Sequence, residues 1–137
     1  MTYIETLGSN AVKVKKILAV ADTGKKNAAL AEISRALIEN SDKIIEANQK
    51  DLAAARANGM SVSMQDRLML NEDRIKGIAS AVDELIKLED PIGKVDNGSV
   101  RPNGMRITKI RVPMGVIGMI YESRPNVTAD AATLCLK

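Results

Sequence analysis

The sequence predicts an α/β protein in three stretches: a helical region over residues 1–92, a hairpin-type β-arm over 93–112, and the first strand–helix unit of a sheet over 113–137. Three observations predict it. Apolar residues recur at helical spacing through the first two thirds of the chain. From Gly93 the texture changes to tight-turn dipeptides between short runs. The run from Val112 to Tyr121 then carries no charge and leads, past Pro125-Asn126, into a new helix. A buried strand followed by a helix is half of a βαβ unit, and a parallel sheet needs a further strand. The chain therefore reads as the front portion of a larger α/β protein.

The elements follow in order. Ile4, Leu7, Ala11, Val14, Leu18 and Ala21 form one apolar stripe, opened by Thr2-x-x-Glu5, a capping box that satisfies two orphan backbone donors. Asp22-Thr23-Gly24 breaks the pattern. A second helix is expected from Lys25 to Glu39, with Leu30, Ile33 and Leu37 inward. Asn40-Ser41-Asp42 offers the next N-cap, for a helix that turns Ile45 and Leu52 inward and stops at Asn58-Gly59. Ser63 is expected to cap a short helix containing Leu68, and Asn71 a longer one with Ile75, Ile78, Val82 and Leu85 inward. Pro91 closes the helical part. Asn97-Gly98 and Asn103-Gly104 are both strong turn dipeptides, because Asn and Gly tolerate positive φ. Between Met105 and Val112 the alternation changes parity, which predicts a bulge near Thr108-Lys109. Met114 to Tyr121 reads as a strand buried on both faces. The final helix is expected over Val127 to Lys137, with Asn126 or Thr128 as its cap.

Composition narrows the chemistry. Apolar residues are 45% and charged residues 27%, as in ordinary globular domains, and the net charge of +3 is far from that of a nucleic-acid-binding tail. The chain has no His, which excludes His-ligated zinc, Ser-His-Asp triads and Cys-His dyads built from its own residues. One Cys forms no internal disulfide, in keeping with a cytoplasmic protein. No Phe or Trp and only two Tyr leave no platform for stacking bases, so no nucleic-acid partner is expected. The start is not a secretory signal, and ten uncharged residues are too few to span a bilayer, so no membrane partner is expected either.

Chemistry is best placed where the apolar strand meets the last helix. In open α/β sheets ligands bind at the carboxyl ends of strands, and helix N-termini attract anions through free N–H groups. Arg124 offers a positive charge there, and Asn126 a side-chain amide donor. The plainer alternative is that the glycines of Gly115-Val116-Ile117-Gly118 serve packing, Arg124 pairs with a carboxylate and Asn126 only caps. No GxGxxG is present. Cys135, between Leu134 and Leu136, has no His partner and reads as a small buried hydrophobe rather than a nucleophile. Arg101, Arg106, Lys109 and Arg111 read as a solvated strand face.

Several stretches carry a more specific signal. The segment Arg111 to Ala132, RVPMGVIGMIYESRPNVTADAA, resembles the gamma-glutamyl phosphate reductase (glutamate-5-semialdehyde dehydrogenase) family of the aldehyde dehydrogenase superfamily. Supporting blocks are Gln65-Asp66-Arg67-Leu68, Arg74-Ile75, Asp90-Pro91-Ile92-Gly93 and Asn103-Gly104-Met105-Arg106-Ile107. The resemblance implies that residues 1–92 are the helical part of an aldehyde-dehydrogenase-like nucleotide-binding domain, 93–112 an oligomerisation-type β-arm, and 113–137 the start of its Rossmann-like sheet. It implies NADPH-dependent reduction of L-glutamyl 5-phosphate to glutamate 5-semialdehyde and phosphate, in cytoplasmic proline biosynthesis, by a homo-oligomer. In that chemistry a cysteine thiolate displaces phosphate to give a thioester, and hydride from NADP(H) releases the aldehyde. The family's nucleophilic cysteine belongs to a C-terminal catalytic region absent from these 137 residues, and Cys135 does not match it. Tyr121, Glu122, Ser123, Arg124 and Pro125 resemble the loop that passes the nicotinamide end of the cofactor, and Asn126 the amide that holds the developing oxyanion. No metal is implied. The competing expectation is a non-catalytic interaction module, a helical bundle whose β-hairpin docks a partner.

Overall fold

The computed structural model describes residues 2–137. Its elements are α1 (Tyr3–Leu18), α2 (Thr23–Glu39), α3 (Ser41–Ala57), α4 (Val62–Leu68), α5 (Glu72–Lys87), β1 (Val95–Val100), β2 (Arg106–Ile110) and α6 (Asn126–Leu136). They fall into two compact units, one holding α1 and the hairpin, the other α2 to α5 with α6.

In the first unit, the Thr2 hydroxyl accepts the Glu5 N–H at 3.3 Å and the Glu5 carboxylate accepts the Thr2 N–H at 2.7 Å, so the capping box forms as read. The apolar stripe of α1 buries no residue, and Ile4, Leu7 and Leu18 stand exposed. β1 and β2 pair antiparallel and are exposed along their whole length. Asn103-Gly104 makes the turn: the Gly104 N–H donates to Arg101 C=O at 2.8 Å, and φ of +84° at Gly104 requires a residue without Cβ. Asn97-Gly98 makes no turn; it lies inside β1, opposite Lys109 and Thr108. The irregularity of the ladder falls between Val95 and Asn97 rather than at Thr108-Lys109. The level is the expected one, but the extra residue, Asp96, sits on the opposite strand. A parity change counted along one strand can be absorbed by either. Arg111 Nε donates to the Asp96 carboxylate at 2.8 Å. Arg101, Arg106 and Lys109 are exposed, as expected of a solvated face.

The second unit holds the core. Asp22 accepts the Lys25 N–H at 2.8 Å, so α2 starts at Thr23, two residues before the expected start. Asn40 stands at the N-cap position of α3 as expected, but its side chain makes no capping bond; the amide donates back to Ala36 C=O at 2.9 Å. The cap of α4 is Ser61, not Ser63, and Asn71 caps α5 as expected, accepting the Arg74 N–H at 2.8 Å. Leu30 of α2 packs with Val82 and Leu85 of α5, and Ile86 and Leu136 close against them. Burying each such side chain contributes about 1.5–3 kcal/mol. Lys137 fixes the end of α6, donating to the Asn27 side chain at 2.7 Å and to Ile86 C=O at 3.1 Å.

One expectation fails clearly. Met114 to Tyr121 is neither a strand nor buried: Met114 is 90% and Ile120 102% exposed. A parallel strand exists only by pairing with neighbours, and the only sheet among the described residues is the β1–β2 hairpin. The fold is thus α-rich with one small antiparallel sheet, and the strand of the expected strand–helix unit is not formed.

Candidate functional site

The loop expected to carry chemistry ends at the first turn of α6. The Tyr121 hydroxyl lies 2.6 Å from the Thr128 hydroxyl, tying the start of the loop to the helix it enters. Ser123 sits at φ +51°, the only non-glycine residue with positive φ among those described. Such a conformation is uncommon outside Gly, Asn and Asp, and here it turns the chain toward Pro125. Arg124 C=O accepts the Val127 N–H at 3.1 Å, and Pro125 C=O the Thr128 N–H at 3.3 Å.

Asn126 is the first residue of α6, not its cap. The cap position belongs to Pro125, and no side chain caps the helix. Thr128 does not cap either, since it lies inside the helix and its hydroxyl faces Tyr121. The Asn126 amide donates to Asp130 Oδ2 at 2.9 Å, one turn on. An amide has two N–H donors, so one remains for another acceptor.

Beside this turn opens a cavity of about 390 Å³, lined by residues of α4, α5 and the start of α6. Of the loop residues only Pro125 joins Asn126 in its wall; Tyr121, Glu122, Ser123 and Arg124 stand outside it. The lining brings in residues that motif reading did not single out as a site: Arg67 and Arg74 from α4 and α5, and Asp130 one turn along α6 from Asn126. Arg74 is held in place. Its guanidinium donates to Met69 C=O at 2.8 Å, to the Asp66 carboxylate at 2.9 Å and to Asp66 C=O. The two short blocks Asp66-Arg67 and Arg74-Ile75 thus meet across α4 and α5, a signal visible in the sequence only as two separate motifs.

The wall between them is set by Asn48. This buried residue of α3 donates to Leu68 C=O at 2.8 Å and accepts the Leu70 N–H at 2.7 Å. It fixes the link that carries Met69 and Leu70.

Cys135 departs from its expected burial. It is exposed in the last turn of α6, because Thr133 and Leu136 occupy the inward face of that helix. Residues two apart on a helix do not share a face.

No protein-family model matches the sequence. Individual relatives do. A gamma-glutamyl phosphate reductase of Caldanaerobacter subterraneus subsp. tengcongensis is 51% identical over 134 residues, 98% of this chain. The chain is homologous to part of the gamma-glutamyl phosphate reductases. It spans about a third of the length of the curated relatives it matches, 32% for the Caldanaerobacter reductase. Two crystal structures of such reductases agree with its fold. That from Thermotoga maritima matches 93% of this chain with a TM-score of 0.89 and 42% identity, and the chain covers 31% of it. That from Saccharomyces cerevisiae matches 99% with a TM-score of 0.91 and 32% identity, and the chain covers 35% of it.

Proposed function

We propose that this chain works as one portion of a gamma-glutamyl phosphate reductase, an NADPH-dependent oxidoreductase that converts L-glutamyl 5-phosphate to glutamate 5-semialdehyde and phosphate in proline biosynthesis. The observation that carries the reading is 51% identity over 98% of the chain to a reductase of that name. No helix of the described residues is long and apolar enough to cross a membrane, in keeping with a cytoplasmic setting.

The donor set fits one edge of a dinucleotide and substrate site. Arg124, exposed next to the first turn of α6, offers a cation to phosphate, and the helix start favours negative charge. A bound NADP(H) supplies hydride; the residues of this chain bind and orient. Tyr121 to Pro125, with Tyr121, Glu122 and Arg124 exposed, form the surface along which a cofactor passes, its start tied to α6 by the Tyr121–Thr128 contact. Asn126 directs its second amide N–H at the developing oxyanion, with Asp130 holding the other. The hairpin is the surface through which copies associate: both of its strands are edges, and Val95, Val100, Ile107 and Ile110 are exposed on it.

The test is turnover by a reductase carrying this chain as its corresponding third, assayed in reverse with glutamate 5-semialdehyde, phosphate and NADP+. Phosphate-dependent NADPH formation is expected. Asn126→Ala should lower kcat by roughly 10²–10³, the usual loss for one oxyanion donor, with little change in cofactor affinity. A folded enzyme with no phosphate-dependent turnover overturns the reading. An unchanged kcat in Asn126→Ala overturns the role given to that residue.

A further inference from the structure

We propose that the cavity beside Asn126 binds the head group of an α-amino acid, with the Arg67 guanidinium on its carboxylate and Asp130 on its ammonium. The wall contains charges of both signs that the fold does not neutralise against each other. Arg67, exposed on α4, has no hydrogen-bond or ion-pair partner among the described residues, whereas Arg74 spends its donors on Met69 and Asp66. Asp130 accepts from Asn126 through Oδ2 only, which leaves Oδ1 as an acceptor. A planar guanidinium fork meets a carboxylate with two parallel hydrogen bonds, and the Asp130 carboxylate beside it disfavours a phosphate dianion and suits an ammonium.

The rest of the lining is apolar. Met69, Leu70, Gly77, Ile78 and Ala81 offer no donor or acceptor from their side chains, and so suit a short methylene stem. A volume of about 390 Å³ lies at the small end of ligand pockets. Asn48, outside the lining, and Arg74, within it, hold the Met69-Leu70 wall through hydrogen bonds to backbone, so the cavity is built before anything enters it. The inference deepens the reductase reading and rests on it for the identity of the acid, which would be the glutamyl moiety.

The experiment is titration of the 137-residue chain with L-glutamate, glutarate and inorganic phosphate, followed by amide and side-chain NMR shifts. L-Glutamate should give saturable shifts at Arg67, Asn126 and Asp130, and glutarate, which lacks the amine, should bind more weakly. Arg67→Gln should weaken L-glutamate roughly tenfold or more, as expected when a charged hydrogen bond is lost. Arg67→Lys, which keeps the charge but not the fork, should fall between. Asp130→Asn should abolish the preference for L-glutamate over glutarate. Lys13→Gln, a charge loss far along the sequence on α1, should change nothing. The proposal is overturned by unsaturable shifts, by equal binding in Arg67→Gln, by glutarate binding as tightly as L-glutamate, or by phosphate competing with L-glutamate for these residues. None of these readouts needs cofactor or turnover. Failure here with an active reductase removes the subsite alone, and binding here with an inactive one removes the reductase reading alone.

Discussion

Replacing Asn48 by Ala should cost far more than its single small side chain suggests. Asn48 is 3% exposed and makes two hydrogen bonds to backbone, to Leu68 C=O at 2.8 Å and from the Leu70 N–H at 2.7 Å. Neither backbone group has another backbone partner among the described residues, because Leu68 is the last residue of α4, where carbonyls have no helical N–H left to accept from, and Leu70 lies in the link that follows. Stranding a buried donor or acceptor costs about 1–3 kcal/mol. Leu70 is buried and its N–H takes the full penalty, while Leu68 is only half-buried and its carbonyl regains water. With about 1–3 kcal/mol for the N–H and about 0.5–1.5 for the bond to the carbonyl, the sum is about 1.5–4.5 kcal/mol. Ser34→Ala is the matched comparison. The Ser34 hydroxyl donates to Ala79 C=O at 3.2 Å, but that carbonyl lies within α5 and keeps its helical bond. Its loss should cost about 0.5–1.5 kcal/mol. Urea unfolding with a shared m-value separates the two variants. A loss below about 1 kcal/mol for Asn48→Ala, or one equal to that of Ser34→Ala, would refute the reasoning that unsatisfied backbone groups set the cost.

Two further outcomes follow from the surface. Cys135 is exposed with no buried contact to lose, so Cys135→Ser should change stability by less than about 0.5 kcal/mol. The native thiol should react with a disulfide reagent without denaturant, and a thiol silent until unfolding would contradict its exposure. Glu72 and Glu89 are held below the usual Glu range, first by hydrogen bonds from Lys76 and Lys94 and then by the charge of those lysines. A depressed folded pKa means that the unfolded chain takes up the proton first as pH falls. The contribution is therefore present at neutral pH and is lost on acidification through the Glu range. It is small, because all four groups are exposed, and high salt should shrink it. Stability measured against pH in Glu72→Gln/Glu89→Gln should show a flatter acid limb; an unaltered limb would show that these pairs do not contribute.

What the sequence made legible was local. Thr2, Asn71 and Asn103-Gly104 act within three residues of themselves, and each does in the structure what its type and spacing imply. The inward faces of α2 and α5 were legible for the same reason, since period alone places Leu30, Val82 and Leu85 together on helix faces. The misplaced caps are near misses of that kind. Ser61 and Ser63 both precede Leu68 at helical distance, and only the path of the chain out of Gly59 chooses between them. Gly59 itself, at φ +72°, was readable from Asn58-Gly59.

What was not legible depends on who the neighbour is. Hydrophobic pattern encodes a face that wants cover; it does not encode the cover. The stripe of α1 and the run 112–121 were both read correctly as apolar, and both are exposed in these 137 residues. A strand over Met114 to Tyr121 needs a partner strand, whereas a helix such as α1 satisfies its own backbone and forms regardless. That difference explains why one expectation kept its secondary structure and the other lost it. The site divides along the same line. Asn126 was found because its loop and helix are contiguous, while Arg67 and Asp130 reach the same cavity from positions 63 residues apart and share no motif. Their conjunction is a property of how α4 and α6 both flank α5. A reading confined to contiguous motifs selects the loop, where Tyr121 to Arg124 stand outside the cavity, and passes over Arg67 and Arg74, which line it.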